Sequence, residues 1–127
     1  MYNLCDIRQI MVDLQNFEEK LRKETDLSLN EALCLCQADK GIQEPTALAR
    51  ELSLSPSRLT RILNSLESKG LIERTIGLED RRNIALRVTH EGNTVVHKLH
   101  CSTITMPTHI EKAIENLHET VQSGEKS

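Results

Sequence analysis

On one stretch of this chain, two guanidiniums and several short polar side chains share one side of a helix, a pattern suited to holding a polyanion. Over residues 55–70, Leu59, Ile62, Leu63 and Leu66 recur at i, i+3, i+4 and i+7 and build one apolar face. The opposite face carries Ser57, Arg58, Thr60, Arg61 and Asn64. Ser55 suits the N-cap, since its hydroxyl can accept from an orphan backbone N–H, and Pro56 suits the first helical position. Lys69 and Gly70 end the helix with a cation in the last turn and a residue free to take a left-handed cap. Such a helix docks its leucines on a core and offers Arg58, Arg61 and Asn64 to bases or phosphates, with Ser55 and Ser57 placed for phosphate oxygens.

Other reactive side chains are present but form weaker patterns. Cys34 and Cys36 lie two apart on a helical stretch and point to different sides, so they read as buried small hydrophobes. His97, His100 and Cys101 share one helical face at spacings of three and four, a geometry able to hold zinc, although no matching His/Glu set is evident upstream. A solvated or interface face accounts for them without a metal. There is no glycine-rich phosphate loop, no carboxylate pair in an apolar setting and no nucleophile–histidine–acid order, so no enzyme is expected and no cofactor is required.

The polar helix is followed by two strand-like runs. Leu71–Ile76 leads into a turn-like, charged stretch, Gly77-Leu78-Glu79-Asp80-Arg81-Arg82. The chain returns as Ile84–Thr89, where apolar 84, 86 and 88 alternate with 85, 87 and 89. Upstream, Pro45 opens a short helix in which Leu48, Ala49 and Leu52 face inward, with Glu44 a weak cap, and Ser53-Leu54 forms the turn before Ser55. Two helices joined by that turn, then a hairpin with a basic tip, make a winged helix-turn-helix. In this arrangement the second helix fits a major groove and the tip reaches the minor groove or the backbone.

The run LARELSLSPSRLTRILNSLESKGLIER, followed by EDRRNIALRVTHEG, resembles the MarR family of bacterial winged-helix transcriptional regulators. The linked elements are Leu48-Ala49, Leu66 to Arg74, Asp80-Arg81-Arg82 and Val88-Thr89-His90-Glu91-Gly92, and they cover residues 28–92. The resemblance implies a homodimer that binds an inverted repeat in double-stranded DNA, most simply as a repressor, with half-sites about ten base pairs apart. On the family pattern, Arg74, Asp80, Arg81 and Arg82 join Ser55, Pro56, Ser57, Arg58, Thr60, Arg61 and Asn64 as the DNA-facing set, and Asp80 holds Arg82 in place. Peroxide-sensing members carry a leucine-preceded cysteine near the start of the first helix, as Leu4-Cys5 is here, so Cys5 is a candidate redox sensor; the tyrosines that activate the thiol in those proteins have no counterpart beyond Tyr2. Zinc-sensing members use histidines from the helix that holds His97 and His100 here. The released state would answer to a small-molecule or oxidant effector. A winged-helix module used only for protein–protein contact is the alternative, and a salt-insensitive interaction would mark it.

Composition agrees with a soluble DNA binder once the charge is divided. The net charge is −3, yet residues 50–87 hold eight Lys/Arg against five Asp/Glu, while the remainder holds eight against fourteen. Tyr2 and Phe17 are the only aromatic residues, so the core must be aliphatic and stacking on single-stranded bases is excluded as a binding mode. No apolar run approaches a membrane span, and the first residues do not read as a secretory signal, so a cytoplasmic chain with reduced thiols is expected.

The flanks complete the expected architecture: mainly α with a small β-hairpin wing, a single domain over 1–127, its 28–92 core flanked by dimerisation helices at 4–24 and 93–122. Ile7, Ile10, Met11, Leu14, Phe17 and Leu21 make a long stripe on the first helix, and Ile110, Ala113, Ile114, Leu117 and Val121 another on the last. Ser28 and Glu31 form a capping box for a second helix whose apolar side takes Ala32, Leu33, Leu35 and Cys36, with Cys34 among them, and which ends at Gly41. Pro107 predicts a break near residue 106.

Overall fold

The computed structural model describes residues 4–76, 84–100, 107 and 110–117. Its elements in order are α1 (Leu4–Thr25), α2 (Leu29–Asp39), α3 (Pro45–Glu51), α4 (Pro56–Ser68), β1 (Ile72–Ile76), β2 (Ile84–Val88) and α5 (His90–His100), with a further helix, α6, over 110–117. The protein is therefore mainly α with one antiparallel hairpin, a winged helix-turn-helix. The chain forms two compact units, 1–26 with 103–127, and 27–102.

Within residues 27–102, each helix starts and stops for a local reason. Ser28 caps α2: its hydroxyl accepts from Glu31 N at 3.2 Å, and Glu31 Oε1 accepts from Ser28 N at 3.2 Å, the reciprocal pair of a capping box. Lys40 closes α2, and Gly41 beyond it takes φ +113°, which a side chain would resist. Pro45 occupies the first turn of α3, where a missing N–H costs nothing, and Glu44 precedes it without a side-chain cap bond. Leu48 of α3 is buried, while Ala49 and Leu52 are half-buried.

The core is aliphatic, as the scarcity of rings requires. Leu35, Leu48, Leu66, Ile72 and Leu86 are its fully buried centre, joined by Leu59, Leu63, Leu71 and Val96. Helix α2 differs from the expected face: Ala32, Leu35 and Ala38 point inward with Cys34, and Leu33 is 39% exposed. A helix advances about 100° per residue, so the inward line through 32, 35 and 38 leaves Leu33 to one side.

In the hairpin, Ile72 pairs with Val88, Arg74 with Leu86 and Ile76 with Ile84. The first strand begins one residue later than the sequence predicts, because Leu71 N still donates to the Leu66 carbonyl at the end of α4, at 3.0 Å. On its other side β2 is tied by Leu86 N to the Gln43 carbonyl at 2.8 Å. Thr89 then starts α5: its hydroxyl donates to the Gly70 carbonyl at 2.6 Å and accepts from Gly92 N at 3.0 Å. A Cβ on Gly92 would stand 2.2 Å from the Leu71 carbonyl oxygen and 2.8 Å from Val88 Cγ1, so only glycine fits there. Helix α5 packs on α2 and β2 and belongs to this unit.

In the other unit, α1 leaves the first part of its stripe exposed, while Leu21 at its far end is buried. Leu4 is 80%, Met11 55% and Ile7 50% exposed. Ile10 and Leu14 form a shallow apolar groove with Ile110, Ala113, Ile114 and Leu117. Val121 and residues 101–106, which include the expected break, lie outside the described residues.

Candidate nucleic-acid interface

Helix α4 is built with two unlike faces. Ser55 Oγ accepts from Arg58 N at 3.3 Å and so caps the helix, with Pro56 at its first position. Leu59, Leu63 and Leu66 are buried, and α4 packs with them against α2, α3 and β1. Ser55, Pro56, Ser57, Arg58, Thr60, Arg61 and Asn64 are all exposed. The structure thus brings seven of the expected residues onto one surface.

Their hydrogen-bond states differ. The side chains of Arg58 and Arg61 have no hydrogen bond or ion pair among the described residues, so all their donors are available. Ser55 Oγ and Ser57 Oγ lie 3.4 Å apart at the helix start. Thr60 Oγ1 donates to the Pro56 carbonyl at 2.8 Å, which spends its proton and leaves the hydroxyl to act as an acceptor. Asn64 Oδ1 accepts from Arg74 Nη2, and Arg74 Nε lies 3.5 Å from Glu67 Oε2, an ion pair without a hydrogen bond. Arg74 therefore reaches from β1 to two residues of α4. Asp80, Arg81 and Arg82 lie outside the described residues.

The far end of α4 is held by a carboxylate that local sequence signals assign only to a cap. Glu31 Oε2 accepts from Ser65 Oγ at 2.8 Å and from Lys69 Nζ at 3.0 Å, while Oε1 keeps the cap bond to Ser28. Burial alone would raise the Glu31 carboxyl, but hydrogen bonds from Lys69, Ser65 and the Ser28 backbone more than offset it and hold it below its ordinary value. On the hairpin, Glu73 faces Arg87 across the strands and raises its guanidinium further above its ordinary value.

A cleft of about 230 Å³ runs beside this surface between α3, α4 and the hairpin. Pro45, Leu59, Leu63 and Ile84 make it apolar, and Thr60 and Arg74 are polar groups on its wall.

The remaining sequence candidates are not drawn into this surface. Cys5 is exposed in the first turn of α1. Cys34 is buried, which pushes its thiol up to about 11, and burial raises Cys36 as well, so both suit packing rather than redox work. His97 and His100 are exposed on α5, Cys101 lies outside the described residues, and among the described residues no three His, Cys, Asp or Glu side chains form a metal-holding group. No helix among the described residues is long and apolar enough to cross a membrane.

Fold and surface together define a winged helix-turn-helix protein with a cationic second helix. Residues 27–84 match the MarR family. Over 91 residues, 72% of the chain, it is 31% identical to the HTH-type transcriptional regulator PapX of Escherichia coli, of which it spans 49%. A second curated relative is a riboflavin kinase of Methanospirillum hungatei, 35% identical over 78 residues, which are 61% of this chain and 34% of that protein. The chain thus spans half or less of the length of the curated relatives it matches. Among solved structures, Streptococcus pneumoniae FabT in complex with DNA is 25% identical with a TM-score of 0.61, and the likeness covers 95% of this chain and 99% of that one.

Proposed function

We propose that the chain is a sequence-specific, double-stranded-DNA-binding transcriptional regulator that acts in the cytoplasm as a homodimer. It represses from an inverted-repeat operator, and a small molecule or an oxidant releases it. The observation that carries this is the polarity of α4: three leucines buried on one side, and on the other Arg58 and Arg61, exposed and without a side-chain partner among the described residues. A helix of this kind presents donors to phosphates and to base edges at once. Capture of DNA by FabT, on a similar fold, supports the same use of this surface. On the resemblance to MarR-like proteins, Arg82 is the wing contact of this reading and Asp80 its partner; both lie outside the described residues.

The exposed stripe of α1 and the groove shared with α6 support a two-fold interface between copies of the chain, because a patch of this size left in water favours self-association. The cleft beside Thr60 and Arg74 is of a size for a small organic anion, which would place an effector against the reading helix. Cys5, exposed near a helix N-terminus, is the candidate for an oxidant signal. No reaction is assigned to the chain.

Equilibrium binding to randomised and to selected duplexes at several salt concentrations tests the proposal. Sequence-selective binding that weakens linearly in log salt is expected. Absence of any duplex binding, with a salt-insensitive protein partner in its place, would overturn it in favour of a protein-docking module.

A further inference from the structure

We infer that Arg74 is a positioning residue that fixes which end of the Asn64 amide faces DNA, so that Asn64 presents its NH2 group to an acceptor edge of one base. The inference rests on the DNA-binding function proposed above. It starts from one bond, Arg74 Nη2 donating to Asn64 Oδ1. A guanidinium has donors only, so the atom of Asn64 that meets it must be the oxygen. The orientation of an amide is ordinarily ambiguous, but here the chemistry of the neighbour decides it.

Arg74 is well placed to hold that orientation. Its side chain is only a quarter exposed and stands on β1, in register with Leu86 of β2. Its Nε faces Glu67, one turn after Asn64 on α4, so the guanidinium spans two residues on the same side of the helix. The Asn64 Nδ2 group, by contrast, has no partner among the described residues, and the residue is exposed beside Arg61. The terminal torsion of an asparagine is broad and two-fold, so a free amide would offer its oxygen or its NH2 with little preference. Tied to Arg74, it offers donors. Guanine N7 and O6, adenine N7 and thymine O4 accept such a donor in the major groove, whereas cytosine N4 does not. The same bonds withdraw Arg74 from the phosphates.

The test uses the full chain and a randomised duplex pool, from which the wild type selects its own motif. Asn64→Ala is expected to lose about tenfold in discrimination at one base pair, a major-groove acceptor position. Arg74→Met should lose the same discrimination at the same position, and the double variant should lose no more than either alone. Arg74→Lys, which keeps a donor for Oδ1, should retain most of it. Arg74→Gln can either donate or accept and should relax discrimination while filling the space, so it serves if the methionine variant does not fold. None of the Arg74 variants should change the salt slope. Intact discrimination in both Arg74→Met and Arg74→Gln would overturn the assignment. So would uniform weakening on all duplexes with a salt slope lower by about one, the mark of a lost phosphate contact. A wild-type chain that enriches no sequence would remove the DNA-binding function itself, and this assignment with it.

Discussion

Replacing Glu31 by alanine should cost about 2–3 kcal/mol of stability, and replacing it by glutamine about 1 kcal/mol. The carboxylate closes the α2 capping box through Oε1 and holds Ser65 and Lys69 of the α4 end through Oε2. Loss of the reciprocal cap contributes about 1 kcal/mol. Ser65 is half-buried, and losing its acceptor adds about 1 kcal/mol, while the Lys69 pair, open to water on one side, adds at most about 1 kcal/mol. Glutamine keeps an oxygen for Ser28 and an NH2 that can donate to Ser65 Oγ, and gives up the charge and the acceptor for Lys69. The folded carboxyl lies below its ordinary 4.5, so its contribution is present above that value and is lost as pH falls through the lower folded value. Urea unfolding of wild type and Glu31→Gln, at one fixed protein concentration, should therefore show a gap near neutral pH that closes as pH drops below the ordinary carboxylate range. A gap that stays constant or widens in acid would refute the account of Glu31 as an ionised clip.

Gly92→Ala should destabilise the fold by about 3 kcal/mol, read from the same urea curves, because its Cβ would meet the Leu71 carbonyl rather than a movable side chain. Leu14→Glu, in the α1 stripe, should give monomers or unfolded protein by light scattering, with tight binding to a palindromic duplex lost together with the dimer. Arg61→Ala should relax preference at one base pair by about 1–3 kcal/mol, whereas Arg82→Ala should weaken all duplexes alike and flatten the salt dependence of the isotherms. Among the thiols, Cys5 should react quickly with a disulfide reagent at neutral pH and Cys34 only on unfolding, since burial holds the latter near 11; Cys5→Ser should bind DNA and resist release by organic peroxide.

What the sequence discloses here is local and periodic. Ser55 with Pro56, Ser28 with Glu31, and the i, i+3, i+4 leucines of α4 are short-range signals, and each marks the element it predicts. The alternation 84, 86, 88 likewise marks β2. Bonds across the fold have no such signature. Glu31 meets Ser65 and Lys69 across 34 and 38 positions, and nothing in its own neighbourhood distinguishes a capping glutamate with that second duty. Arg74 reads from sequence as a further DNA-facing cation, and its contacts with Asn64 and Glu67 carry no local signal. The rotation of α2 that exposes Leu33 depends on which of two adjacent apolar lines its neighbours cover, a tertiary choice that periodicity leaves open. Gly92 stands in the middle: the motif names it, but the reason, a backbone approach too close for a methyl group, needs coordinates.

The bond from Leu86 N to the Gln43 carbonyl gives the hairpin a mechanical property. A two-stranded ribbon pivots easily about its own base, and alone in water it is barely stable. Here the returning strand is also riveted, at its midpoint, to the segment that leads into α3. A load applied to β2 is therefore passed to the start of the helix-turn-helix. The returning strand and the entry to the helix-turn-helix are thereby joined by backbone as well as by side-chain packing.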